Sequence, residues 1–81
     1  MISRKSANIV STAHIGNYTI PANKDRSYFF VVFTDTTGTV RFGQAGTGEI
    51  PLGIGGHLSP EVCPTGEIAI QNAGNYIVVL G

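Results

Sequence analysis

The 81-residue chain has room for one domain near the small end of what folds alone, so its core needs help from a disulfide, a metal or a partner subunit. Cys63 is the only cysteine, which excludes an internal disulfide, and with only His14 and His57 beside it no zinc ligand set is at hand. Zero formal net charge argues against phosphate binding as the main task, and a charged share of 12% is about half the usual one for a globular domain, so the surface reads as one that a partner covers.

Met1–Ser6 is polar apart from Ile2 and reads as an extended N-terminal arm, 1–6, ahead of a single β domain, 7–81. Ala7–Ala13 is a first strand built around Ile9 and Val10, and Asn17–Ile20 alternates cleanly, with Tyr18 and Ile20 on one face. Pro21–Arg26 is the most polar segment and begins with a residue that cannot donate to a ladder, so it is a surface loop.

Tyr28–Phe33 dominates the chain. Successive side chains on a strand point to opposite faces, so Tyr28, Phe30 and Val32 line one side and Phe29, Val31 and Phe33 the other. Both sides are apolar. Asp35-Thr36-Thr37-Gly38 carries the residues of a type I turn, and Thr39–Gly43 returns with Val40 and Phe42 on one face; a hairpin is expected. Ile50–Ile54 mixes apolar residues with Pro51 and Gly53, as an irregular or edge strand does. Gly55–Gly66, with Pro60 and Pro64, is a long shaped crossing.

Glu67–Gln71 and Tyr76–Leu80, joined by Asn72-Ala73-Gly74-Asn75, read as a second hairpin whose later strand is again apolar on both sides. No stretch shows a helical period. The expectation is an all-β fold, a small antiparallel sandwich or barrel of six to eight short strands. Two strands apolar on both faces exceed what so short a chain covers in two layers. The expectation is that one set of side chains meets another subunit, the alternative being that curved barrel strands and the N-terminal arm cover both faces within one molecule. Tyr28, Phe30 and Val32 with Tyr76, Val78 and Leu80 are the candidates.

Chemistry is not encoded in any motif. Cys63 lies in a loop with no following base to activate it, and the five carboxylates fall in five separate segments, so neither nucleophilic nor paired-carboxylate catalysis is expected. Gly46-Thr47-Gly48 and Gly53-Ile54-Gly55-Gly56 lack the Walker lysine and a following helix, and they read as turns. No enzyme activity, cofactor or metal is expected. No membrane segment is expected either, since no apolar run reaches spanning length, and the residues after Lys5 are too polar for a secretory leader. The lone cysteine fits synthesis in a cytosol.

From Gly55 onward the sequence Gly-Gly-His-Leu-Ser-Pro-Glu-Val-Cys-Pro-Thr-Gly-Glu-Ile-Ala-Ile, followed by Gly-Asn-Tyr-Ile-Val-Val-Leu-Gly, resembles the C-terminal part of small all-β virion proteins of tailed bacteriophages. The resemblance implies a capsid decoration or cement protein, made in the bacterial host cytoplasm and resident in the virion. It further implies a homotrimer with the major capsid protein or another virion protein as partner. An extended arm would dock on the lattice, and the matching residues here are Ile2, Arg4 and Lys5. Two other classes remain. A carbohydrate-binding module would use Tyr18, Tyr28 or Tyr76 as platforms beside Asn17 and Asn75. A single-stranded nucleic-acid-binding barrel would use Arg26, Tyr28, Arg41 and Phe42; the absence of tryptophan and the neutral charge count against them in turn.

Overall fold

Alternation of apolar and polar residues at period two produces eight short strands and no helix among the residues described by the computed structural model, 9–43 and 48–81. They are β1 (Val10–Ile15), β2 (Tyr18–Ile20), β3 (Phe29–Phe33), β4 (Gly38–Phe42), β5 (Ile50–Leu52), β6 (His57–Leu58), β7 (Ile68–Asn72) and β8 (Asn75–Leu80). The expected arm, with Ile2, Arg4 and Lys5, lies outside the described residues.

The strands form two four-stranded antiparallel sheets: a front sheet in the order β1-β8-β3-β6 and a back sheet in the order β2-β7-β4-β5. This is the strand order of a jelly roll, in which the chain crosses from one sheet to the other at nearly every turn. Two expectations are corrected here. Strands β3 and β4 are not a hairpin, and neither are β7 and β8: each pair is split between the sheets. Of consecutive strands, only β4 and β5 pair with each other.

Inward residues of both sheets build one core. Phe29, Val31 and Phe33 of β3 and Tyr76 and Val78 of β8 meet Ile20, Val40, Ile68 and Ile70 of the back sheet, all buried. Phe33 and Tyr76 pack edge to face with ring centroids 5.6 Å apart, an arrangement favoured by the ring quadrupoles. Gly38 opens β4 directly beneath this pair. A Cβ there would sit 2.9 Å from the Phe33 ring and would also collide with the Gln71 carbonyl, so the position needs glycine for close approach.

Polar hubs close the two ends of the sandwich. At one end the β1–β2, β3–β4 and β7–β8 corners stack around Asn72, which is buried. Its backbone N–H donates to Asn17 Oδ1 (3.2 Å), its Nδ2 donates to the Thr36 carbonyl (3.1 Å), and its Oδ1 accepts from Thr36 Oγ1 and the Gly74 N–H, both at 2.7 Å. The Tyr76 hydroxyl donates to the Gly16 carbonyl at 2.7 Å and ties the first corner to the core. At the opposite end Arg26 crosses the β2–β3 loop and donates from Nη1 to the Pro64 and Gly66 carbonyls (2.6 and 3.2 Å) and from Nη2 to the Pro21 carbonyl (2.7 Å). A segment expected to be a wet surface loop thus carries a residue only 6% exposed.

Candidate functional site

Residues directly opposite one another on paired strands share a face, so the registers assign every outward side chain. On the front sheet Val79 faces Ser11 and Phe30, Ile77 faces Ala13 and Val32, and Val32 faces His57. The outer surface is therefore Ser11, Ala13 and Ile15 on β1, Ile77 and Val79 on β8, Phe30 and Val32 on β3, and His57 on β6. Ile15 is 69% exposed and Ile77 38%, while Phe30, Val32 and Val79 are half-buried. Phe30 stacks on the His57 ring with centroids 5.8 Å apart, which joins the edge strand to the patch. No Asp, Glu, Lys or Arg occurs in any of the four strands of this sheet.

Among the described residues, the β1 edge of the same sheet is equally unprotected. Strand β1 spans six residues, pairs with β8 alone among the described residues, and contains neither lysine nor proline, the residues that ordinarily blunt an exposed edge. By contrast the edge strands of the back sheet are three residues each, one containing Pro51 and the other followed by Pro21.

The six expected interface residues divide. Phe30 and Val32 do face outward, and Tyr28, 38% exposed, lies just before β3 with its N–H bonded to the Gly81 carbonyl. Tyr76 and Val78 are corrected: both are fully buried within the chain, and Leu80 faces inward and packs against the core. The exposed apolar residues of β8 are the alternate ones, Ile77 and Val79. The strand is apolar on both sides, so alternation alone could not choose between them. Ile15 lies beyond the expected Ala7–Ala13 strand, since β1 runs from Val10 to Ile15.

The alternative sets fare differently. For a sugar platform Tyr76 is buried, Asn17 serves Asn72, and the Asn75 amide donates to Asp35 Oδ2 (3.2 Å). Tyr18 stacks on His14 at 4.3 Å, and Tyr28 stands apart on another strand. For a nucleic-acid surface Arg26 is buried on backbone carbonyls and Phe42 packs against the core, while Arg41 lies on the back sheet. The geometry does not bring either set together.

Chemically reactive groups are equally scattered. Cys63 packs against the core with its thiol 3.7 Å from the Pro64 carbonyl, and no three His, Cys, Asp or Glu side chains gather among the described residues. Among the described residues, Tyr76 has a shifted titration. Burial pushes its phenol above the ordinary 10.0, and the Tyr18 phenol adds to the effect. No family model, curated protein or solved structure matches the chain.

Proposed function

We propose that this chain is a non-enzymatic structural protein of a tailed-phage particle, which binds and stabilises the assembled capsid as a decoration or cement protein. The observation that carries the reading is the uncharged, apolar outer face of the front sheet with the free β1 edge beside it. Apolar patches of roughly several hundred Å² on small soluble proteins mark interaction sites. The jelly roll adds support by fold-level analogy, because viral capsid domains use it, as do lectins and other proteins.

In this reading Phe30, Val32, Ile77 and Val79 are buried between subunits, in the trimer that the resemblance implies, and the major capsid protein receives the assembled unit. Ile2, Arg4 and Lys5 grip the lattice. The test is uptake by assembled heads that lack the protein, followed by co-sedimentation. Wild-type chain sediments with the heads, Ile77→Lys does not, and a chain lacking Met1–Lys5 keeps its fold but loses uptake. Equal uptake of wild type and Ile77→Lys would remove the front face from the mechanism, and full uptake by the truncated chain would remove the arm.

A further inference from the structure

The β1 edge of the front sheet presents a row of backbone groups as well as side chains. Tyr28 and Gly81 exchange both of their backbone hydrogen bonds, at 3.2 and 3.1 Å, one step beyond the Phe29–Leu80 pair of the β3–β8 ladder. In an antiparallel ladder such doubly bonded pairs alternate with unbonded ones, so Val79 and Ile77 bond to β3, while Leu80, Val78 and Tyr76 bond to β1. Their partners on β1 are Val10, Thr12 and His14. The Gly16 N–H, which donates to the Gly74 carbonyl at 3.4 Å, continues the same rhythm. The N–H and C=O groups of Ser11, Ala13 and Ile15 therefore point away from the sheet, and among the described residues nothing pairs with them.

Ile9 extends this row by one step. Its members are then Ile9, Ser11, Ala13 and Ile15, which run large, small, small, large. Turned about a twofold axis through Thr12, that order matches itself: Ile9 of one copy lies opposite Ile15 of the second, and Ser11 lies opposite Ala13. Every outward N–H and C=O then meets its complement. Charge favours the same match, because no Asp, Glu, Lys or Arg occurs from Ile9 to Ile20 and no like charges are brought together. The exposed side chains of Ile9, Val10 and Ile15 are covered at once. An axis through Ala13 instead would set Ile15 against Ser11 and lose the match.

We infer that β1 is a second interface of this protein, at which two copies pair edge to edge about a twofold axis through Thr12 and join their front sheets into one. A lone strand pair is marginal in water, so for its strength this contact rests on the front-face association proposed above, whose assembled subunits it links.

Disulfide trapping on the full chain, in a Cys63→Ser background, tests the register. Across an unbonded antiparallel pair the Cα atoms lie about 4.5 Å apart, within reach of a disulfide, so Thr12→Cys places its sulfur beside the axis. Ser11→Cys and Ala13→Cys are also exposed, but each sits about 7–8 Å from its own copy. In a glutathione redox buffer Thr12→Cys should form the covalent dimer roughly tenfold faster than either, read by intact mass. Ala13→Pro deletes an outward N–H while leaving the β8 ladder whole, and in the Thr12→Cys chain it should abolish trapping. Because the proline risks distorting the strand, Ile15→Glu is the second variant; it keeps every backbone group, sets a charge beside Ile9 of the second copy and should slow trapping to the rate of the controls. No dimer, equal rates at the three positions, a faster rate at Ala13, or trapping unchanged by Ile15→Glu would each overturn the inference. Uptake by phage heads would survive that failure, whereas a Thr12 preference in a chain that heads do not take up would remove the capsid reading and support the edge contact.

Discussion

The two sheets contribute alike to the core and differ on the outside. Inward, each presents large apolar side chains at every second position. Outward, the back sheet shows Thr19, Thr39, Arg41, Gln71, Ala69 and Pro51, a mixture suited to water, whereas the front sheet shows Phe30, Val32, Ile77 and Val79 with no charge at all. One domain thus carries one solvated face and one face built like an interior. The difference teaches that the two outer faces are set apart by charge and polarity, although exposed apolar side chains also occur elsewhere, at Ile50, Ile54 and Val62.

Substitutions can break that comparison at graded cost. The largest effects should fall on inward residues of either sheet without distinction: Phe33→Ala in the front sheet and Ile70→Ala in the back sheet should each lower unfolding free energy by about 2–5 kcal/mol in urea titration. Next, Asn72→Ala removes the acceptor of the buried Gly74 N–H and both side-chain bonds to Thr36, unlinking the β3–β4 and β7–β8 corners while the backbone bond to Asn17 remains, with an expected loss on the order of 2–3 kcal/mol by the same measurement. Ile77→Lys on the outer front face should barely change monomer stability yet weaken self-association roughly tenfold or more, read by sedimentation equilibrium.

Tyr76→Phe should cost about 1 kcal/mol near neutral pH through loss of the bond to the Gly16 carbonyl. It also carries a pH signature. The Tyr76 phenol titrates above 10.0 in the folded chain and near that value when unfolded, so the native state holds the extra proton. This contribution is fully present below pH 10 and declines as pH rises from there through the folded value; Tyr76→Phe should flatten that part of the alkaline stability profile. Smallest of all, Gln71→Lys on the back face should stay within about 0.5 kcal/mol and leave association untouched. A comparable loss of association from Gln71→Lys would erase the asymmetry between the faces.

Much of this architecture is legible in the chain. Period-two alternation marks β2, β4 and β7, runs of aromatic and β-branched residues mark β3 and β8, and Asp35–Gly38 and Asn72–Asn75 mark reversals. Turn residues state that the chain turns back, not whether it lands in the same sheet or the opposite one, so the crossings of the jelly roll have no local signal in the sequence. Pairing of β1 with β8 joins opposite ends of the chain, and nothing local encodes it. The face of β8 that lies inside was equally hidden, because Tyr76 and Val78 are no more apolar than Ile77 and Val79; the core claimed the former pair through the contact of Tyr76 with Phe33. Arg26 and Asn72, both in segments rich in loop residues, became hubs through bonds to distant carbonyls and corners, which composition does not show.

The central claim is that the outer face of the front sheet is an interface, and light scattering on a dilution series of wild type beside Ile77→Lys tests it most directly. Wild-type chain should show an oligomer mass that falls toward the monomer on dilution, while Ile77→Lys stays monomeric throughout with an unchanged fold. A wild type that is monomeric at every concentration and indistinguishable from the variant would contradict it.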